Sequence, residues 1–207
     1  MPQNSPMTFS VTQMSKKIIA ATHNKGKLRE FSRMLEHKEI EISTPPEGIM
    51  ETIVENGTTF AENALIKART VFEATGIPTM ADDSGLCVDA LGGDPGVKSA
   101  RFMGEDTSYT VKNAAIIDML KDVPDEKRTA RFECAIAVVS EKGERVFLGT
   151  FEGKIGYEAK GDNGFGYDPI FYVGDVSSSE MSAEQKDSMS HRAKALRAMI
   201  GGIDDLV

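Results

Sequence analysis

Apolar and polar positions alternate in recognisable periods from Lys17 onward. Lys17-Ile-Ile-Ala-Ala21 is a short apolar run, long enough for a buried strand, and a polar turn with a glycine, Thr22 to Lys27, follows it directly. Leu28, Phe31, Met34 and Leu35 then recur at helical spacing, so strand, turn and helix N-terminus are predicted in that order. Glu39 to Ile42 alternates as a strand, and Pro45-Pro46 with Gly48 makes a connecting loop. Thr59 and Glu62 form a capping box ahead of Phe60, Ala64, Ala68, Val71 and Phe72, a helix that Gly76-Ile-Pro78 stops. Met80 to Gly96 reads as a strand ending in a turn and a glycine-rich loop, with Gly85 supplying an unusual backbone angle. Ser99 to Phe102 is expected to be a short extended piece, and Ser108 to Leu120 a helix. Ala130 to Ser140 and Arg145 to Ile155 form a predicted hairpin through Glu141 to Glu144, and Gly161 to Val173 is a glycine-rich approach to an apolar strand. The last helix follows Ser190 as N-cap, carries Ala193, Leu196 and Ile200, and is expected to end at Gly201-Gly202. Early alternation of helices and strands with a late hairpin predicts a mixed sheet in an α/β or α+β arrangement.

Composition narrows the picture. A chain of 207 residues, 40% hydrophobic and 27% charged, can bury one substantial core, so residues 16–207 are read as one domain behind a loose tail, 1–15. That tail is polar, contains Pro2 and Pro6, and lacks the apolar centre of a signal peptide. The formal net charge of −8 argues against a polymeric nucleic-acid partner, which needs a basic surface, but leaves room for a small phosphorylated ligand in a local basic pocket. No apolar run approaches the ~18 residues of a membrane span. Cys87 and Cys134 lie in apolar runs and read as reduced thiols, so the cytoplasm is the expected location. Three histidines without paired Cys/His spacing argue against zinc.

Candidate chemistry concentrates in four places. Asp82 and Asp83 are neighbours in a strand, so their side chains face opposite ways and cannot share a role. A buried carboxylate calls for a cation, a set of donors or a water to activate. The turn Thr22-His23-Asn24-Lys25-Gly26-Lys27 opens a helix, where free amides and the helix dipole favour phosphate, although the spacing is not that of a Walker loop. Phe165, between Gly164 and Gly166, offers a stacking face, and Asp168 an acceptor. His191 and Arg192 occupy the first turn of a helix, where cations are disfavoured, which points to an anionic or acceptor-rich ligand. Lys67, one turn beyond Asn63, reads as a solvated lysine on a polar helix face.

Taken together, Thr22-x-Asn24-x-Gly26-Lys27, Phe60-x-Glu62-Asn63-Ala64-x-x-Lys67-Ala68, Ala81-Asp82-Asp83-Ser84-Gly85-Leu86, Phe165-Gly166-Tyr167-Asp168-Pro169 and Ser190-His191-Arg192 closely resemble the inosine/xanthosine triphosphate pyrophosphatase family, from about Lys17 to about Met199. Members hydrolyse noncanonical purine nucleoside triphosphates. The resemblance implies an elongated mixed sheet flanked by helices, two lobes and a central nucleotide cleft, Mg2+ as cofactor and a homodimer. It also implies site roles. The triphosphate would lie on Thr22 to Lys27, with Lys27 its most direct partner; Asp83 would be general base and metal ligand, Glu55 a second metal ligand, and Ser84 a substrate contact. Phe165, Gly166, Tyr167, Asp168, Lys186, His191 and Arg192 would surround the purine. His23 departs from the pattern, which often has Gly there, and places a side chain in the phosphate turn. Position 6 of hypoxanthine or xanthine is an acceptor that Arg192 can satisfy, whereas adenine presents a donor. Two alternatives remain at this level: a related pyrophosphatase for modified or ordinary nucleotides, and a catalytically silent nucleotide-binding protein.

Overall fold

The computed structural model describes residues 16–36, 38 and 40–207. The expected tail and the Glu39 end of the second strand lie outside the described residues. Among the described residues, seven strands form one sheet: β1 (Lys16–Ala20), β2 (Ile40–Ser43), β3 (Thr79–Val88), β4 (Thr129–Ser140), β5 (Gly143–Ile155), β6 (Phe171–Val173) and β7 (Val176–Ser177), in the order β2-β1-β3-β4-β5-β6-β7. β1 is parallel to β2 and β3, and every later pairing is antiparallel. The helices are α1 (Lys25–Leu35), α2 (Phe60–Thr75), α3 (Tyr109–Met119), α4 (Ala183–Met189) and α5 (His191–Gly202). The mixed α/β architecture is the expected one.

Two periods build it. Along β3, Met80 faces the apolar cluster that also holds Ile18, Phe31, Ile136 and Leu196, beneath α1 and α5. Ala81 and Cys87 face the other way, with Ala64, Ala68, Val71 and Ala135, beneath α2. A third cluster gathers Leu86, Val88, Ile116, Phe132, Ile155 and Phe171 at the α3 end of the sheet. The long strands β3, β4 and β5 therefore carry two bodies, one built on β1, β2, α1, α2 and α5, the other on α3 and β6. Between them a cleft opens because β1 pairs with β3 only at Ile19–Thr79 and Ala20–Met80 and then turns away. Asp82 to Ser84 lie on the strand edge so exposed to the cleft.

Local signals explain the element ends. Asn24 caps α1, Thr59 and Glu62 form the capping box of α2, and Gly76 ends α2 in the left-handed conformation at φ 66°. Three expectations change, at Gly85, at Ser99 to Phe102 and at α4. Gly85 is not in a left-handed conformation but in the middle of β3, where a Cβ would meet Gly96 O, Ser99 Oγ and, at 2.9 Å, Phe60 Cε1; its role is close approach. Ser99 to Phe102 forms turns rather than an extended piece, held by bonds such as Arg101 N to Lys98 O. α5 ends at Gly201-Gly202 as expected, with Leu196, Met199 and Ile203 packed in the core. α4 is additional, and its capping box of Ser182 and Gln185 is a signal the sequence carried.

Candidate active site

The strand alternation separates the two aspartates. Asp83 points toward α2, where its Oδ1 lies 2.9 Å from Lys67 Nζ and its Oδ2 accepts from Asn63 Nδ2 at 3.3 Å. Lys67 Nζ also reaches Glu55 Oε2 at 3.2 Å, so one ammonium sits between two carboxylates. Lys67 is 6% exposed, which corrects the expectation of a solvated lysine on a polar face: its helical spacing from Phe60, Ala64 and Val71, which put it on the buried face of α2, was the available signal. Burial pushes the Asp83 carboxyl above the usual carboxylate range, and Lys67 only partly opposes it. Burial likewise works against the Lys67 charge, but Asp83 and Glu55 outweigh it and hold the lysine protonated. Two carboxylates against one ammonium leave a formal charge of −1. This is a donor set of hard oxygens, suited to a divalent ion that keeps several waters and takes further oxygens from phosphates. Among the described residues no cluster of three His, Cys, Asp or Glu that could hold a metal alone is found.

Asp82 points the opposite way and is almost wholly buried. Lys27 Nζ lies 3.0 Å from its Oδ1, and Arg192 Nε donates to Oδ2 at 3.1 Å. Burial would raise its pKa, but the two cations overcome that and hold it below the ordinary range. Arg192 also donates from Nη1 to Glu30 Oε2 at 2.5 Å and from Nη2 to Ser84 Oγ at 2.9 Å. Three of its five N–H groups are thereby used, leaving one on each terminal nitrogen for a ligand.

The turn before α1 is organised by its own side chains. Thr22 Oγ1 accepts from Asn24 N at 3.1 Å, and Asn24 Oδ1 accepts from Gly26 N at 2.8 Å and Lys27 N at 3.2 Å. Two amides expected to face an anion are thus taken by Asn24. Lys25 is exposed, and His23 extends toward Glu51, 3.8 Å away, rather than into the turn.

A cavity of about 120 Å³ lies between this turn and the other body, lined among others by Lys27, Ser84, Phe132, Phe165, His191 and Arg192. Phe165 stands over it, its ring centroid 5.7 Å from the Arg192 guanidinium carbon and 5.8 Å from Lys186 Nζ. His191 stacks on Phe132 at 4.9 Å, and its buried Nδ1 has no partner among the described residues. Burial, with Arg192 and Lys186 nearby, lowers its pKa well below the ordinary histidine value, so His191 is neutral. This corrects the reading of two cations in that first turn: only Arg192 is charged. Asp168 is corrected too. Its Oδ2 accepts from Lys186 Nζ at 2.7 Å and Phe165 N at 2.8 Å, and its Oδ1 from Ser178 Oγ at 2.9 Å, so it organises the loop instead of presenting a free acceptor. Tyr167 is buried, with its hydroxyl donating to Ser99 O at 2.8 Å.

Residues 18–201 match the family model described as the Ham1 family. The chain belongs to the Ham1 family. It is 46% identical over 187 residues to a dITP/XTP pyrophosphatase of Desulforamulus reducens, covering 87% of this chain and 92% of that protein. With a dITP/XTP pyrophosphatase of Photorhabdus laumondii it shares 40% identity over 189 residues, 89% of this chain and 96% of the other. Among solved structures, the Ham1 protein of Staphylococcus aureus superposes with a TM-score of 0.82 at 36% identity, over 91% of this chain and 98% of that one. A nucleoside-triphosphatase / dITP/XTP pyrophosphatase of Mycobacterium abscessus gives 0.71 at 43% identity, over 89% and 98%.

Within this Ham1 fold, Asn24, Lys27, Ser84, Phe165 to Asp168, Lys186, His191 and Arg192 line one cavity, Asp83 and Glu55 meet at Lys67 on the α2 side, and Thr22, His23, Lys25 and Gly26 lie outside that cavity lining. Glu30, Asn63 and Lys67 join them, together with Asp82 as the shared anchor of Lys27 and Arg192. Glu30 carried a weak signal, an acid within a helix whose apolar face alone was read.

Proposed function

We propose that this chain hydrolyses deaminated purine nucleoside triphosphates, ITP, dITP and XTP, to the nucleoside monophosphate and pyrophosphate, removing them from the nucleotide pool. The observation that carries the reading is the opposed pair on β3: Asp83 with a raised pKa on one face, and on the other Asp82 holding Lys27 and Arg192 at a pocket roofed by Phe165. The purine lies under Phe165, with Arg192 and the unpartnered His191 Nδ1 facing its edge, and the triphosphate runs past Lys27 toward Asp83. Asp83 accepts the proton of the attacking water, the water oxygen bonds to phosphorus at the α–β anhydride, and pyrophosphate leaves. Mg2+, held by Asp83 and Glu55, would neutralise charge developing on the leaving pyrophosphate. Arg192 selects the base: a 6-oxo group accepts from its free N–H, while a 6-amino group sets donor against donor. In this reading the enzyme works in the cytoplasm, the location its reduced thiols point to, and as a homodimer, as the family resemblance implies, without nucleic acid or membrane; no helix among the described residues is long and apolar enough to cross a membrane. Pyrophosphate release from ITP, XTP, GTP and ATP with Mg2+ tests it. Fast release from ITP and XTP against slow release from ATP is expected. Equal rates for all four would replace the reading with a general triphosphatase, and binding of ITP without turnover would replace it with a nucleotide carrier.

A further inference from the structure

Lys112 and Asn113, adjacent on α3, are buried, and neither contacts a carboxylate among the described residues. Lys112 is 1% exposed; its ammonium donates to Ala100 O at 2.6 Å and lies 5.0 Å from the centroid of the Tyr109 ring. Asn113 donates from Nδ2 to Gly166 O at 3.2 Å, and its buried Oδ1 has no partner. Both acceptors belong to segments that line the pocket beneath Phe165.

These two segments have no regular structure of their own to fix them. Ser99 and Ala100 lie in turns, and Gly164 and Gly166 take left-handed conformations at φ 80° and 71°. Their position is set by ties to neighbours: Tyr167 OH to Ser99 O joins one segment to the other, and Tyr109 stands edge-on to Tyr167 with centroids 5.2 Å apart. Phe165 N to Asp168 Oδ2 at 2.8 Å and Leu86 N to Ser99 Oγ at 2.9 Å hold each segment from its own side of the cleft, and the ties from α3 are those of Lys112 and Asn113. An ammonium buried without a counter-ion is an expensive way to hold a loop, since a neutral contact would serve for packing alone. It gives, in return, a short charge-assisted bond to one carbonyl with little angular freedom.

We infer that Lys112 and Asn113 are positioning residues of the purine pocket: they hold Ala100 and Gly166 at the spacing that admits a flat ring under Phe165. The inference rests on the proposed function, and it assigns α3 to base binding while leaving the phosphate-binding turn and Asp83 untouched. Contacts of the pocket wall with the base are made alike in the bound substrate and the transition state, so a loosened wall is expected to raise KM and leave kcat nearly unchanged.

The test uses Lys112→Met, Lys112→Arg and Asn113→Leu in the full chain, with KM and kcat for ITP and the inhibition constant of inorganic tripolyphosphate, which has no base to place. Neither KM nor an inhibition constant depends on the folded fraction, so a poorly folding variant still reports. The expected result is a rise in KM for ITP of about tenfold in Lys112→Met and Asn113→Leu, kcat within about threefold, an unchanged tripolyphosphate constant, and recovery of most of the KM in Lys112→Arg. KM within twofold of wild type in both variants would overturn the inference, as would a parallel rise in KM and the tripolyphosphate constant. If wild type itself fails to turn over ITP, the proposed function falls first, and the two failures are thereby told apart.

Discussion

Asp82 and Asp83 differ by one position, yet strand geometry gives them different chemistry. Asp83 has one lysine and a carboxamide around it and is pushed upward in pKa, which suits a group that must take a proton from water. Asp83→Asn is expected to lower turnover by about a hundredfold or more while leaving the fold intact, since the amide keeps the shape; turnover within a few-fold of wild type would move the base elsewhere. The base must be deprotonated to act. Activity should therefore fall as pH drops through the Asp83 pKa, which burial raises and Lys67 and a bound Mg2+ lower. Lys67 opposes that shift, so Lys67→Met should move the acid limb of kcat/KM to still higher pH. A limb that stays in place would remove Asp83 from the pH profile. Arg192 needs a different probe. Arg192→Ala removes the arginine partner of Glu30 and leaves Asp82 with Lys27 alone, and breaking a buried pair costs about 3–5 kcal/mol. Arg192→Lys retains charge beside Asp82 but loses the planar fork, so the preference for ITP over ATP should shrink by about tenfold or more with the protein still folded. An equal fall in kcat/KM for both nucleotides would give Arg192 a phosphate or structural role instead.

α5 delivers His191 and Arg192, and β5 sets where it can lie. A Cβ on Gly149 would overlap His191 O and come within 2.7 Å of Ala195 N, both backbone atoms of α5 that no rotamer change can move. The absence of a side chain at this one strand position is what lets the helix settle on the sheet with Arg192 in reach of Asp82. Gly149→Ala is expected to displace the start of α5, lowering stability by roughly 1–3 kcal/mol, the usual cost of overpacking. For a chain of this size that corresponds to a drop of about 2–12 °C in Tm. KM for ITP should rise in the same variant because both base-facing groups move with the helix. An unchanged Tm and KM would show that β5 yields instead. α2 works in the same way on the other face: its capping box and left-handed Gly76 fix its ends, and so place Asn63 and Lys67 over Asp83.

Taken as one body, the protein buries ionisable groups that couple its stability to pH. His191 is neutral and buried in the fold but titrates near its ordinary value when unfolded, so the unfolded chain binds more protons below about pH 6.5. Stability should thus rise with pH up to that value and fall below it, with a slope approaching about 1.4 kcal/mol per pH unit from this residue alone. Asp82 adds a loss of the same sign at lower pH, below the ordinary carboxylate value, because its folded pKa is depressed. His191→Asn should flatten the upper part of the curve in denaturant titrations between pH 7 and 5; an unaltered slope would place the titrating group elsewhere. The charge left at Asp83, Lys67 and Glu55 predicts in addition that a chelator abolishes activity and that Mg2+ restores it. Full activity in excess chelator would defeat the metal assignment.

Much of this was legible along the chain because it depends on near neighbours. Period 2 around Asp82 and Asp83 forces them to opposite faces, the Thr59–Glu62 box starts α2, and Thr22 to Lys27 must open a helix whatever packs on it. The motif positions lie in order along the sequence, and the fold brings Asn24, Lys27, Ser84, Phe165 to Asp168, Lys186, His191 and Arg192 to one cavity. Other facts depend on residues far apart in the chain, and no local period encodes them. Lys67 looked like a solvated lysine until β3 placed Asp83 beneath it. Asp168 looked like a free acceptor until Lys186 and Ser178 took its oxygens, and His191 looked like a cation until Phe132 and α5 packing excluded the water that would support its charge. Charge and hydrogen-bonding state are set by desolvation and by partners, and both are properties of the folded arrangement.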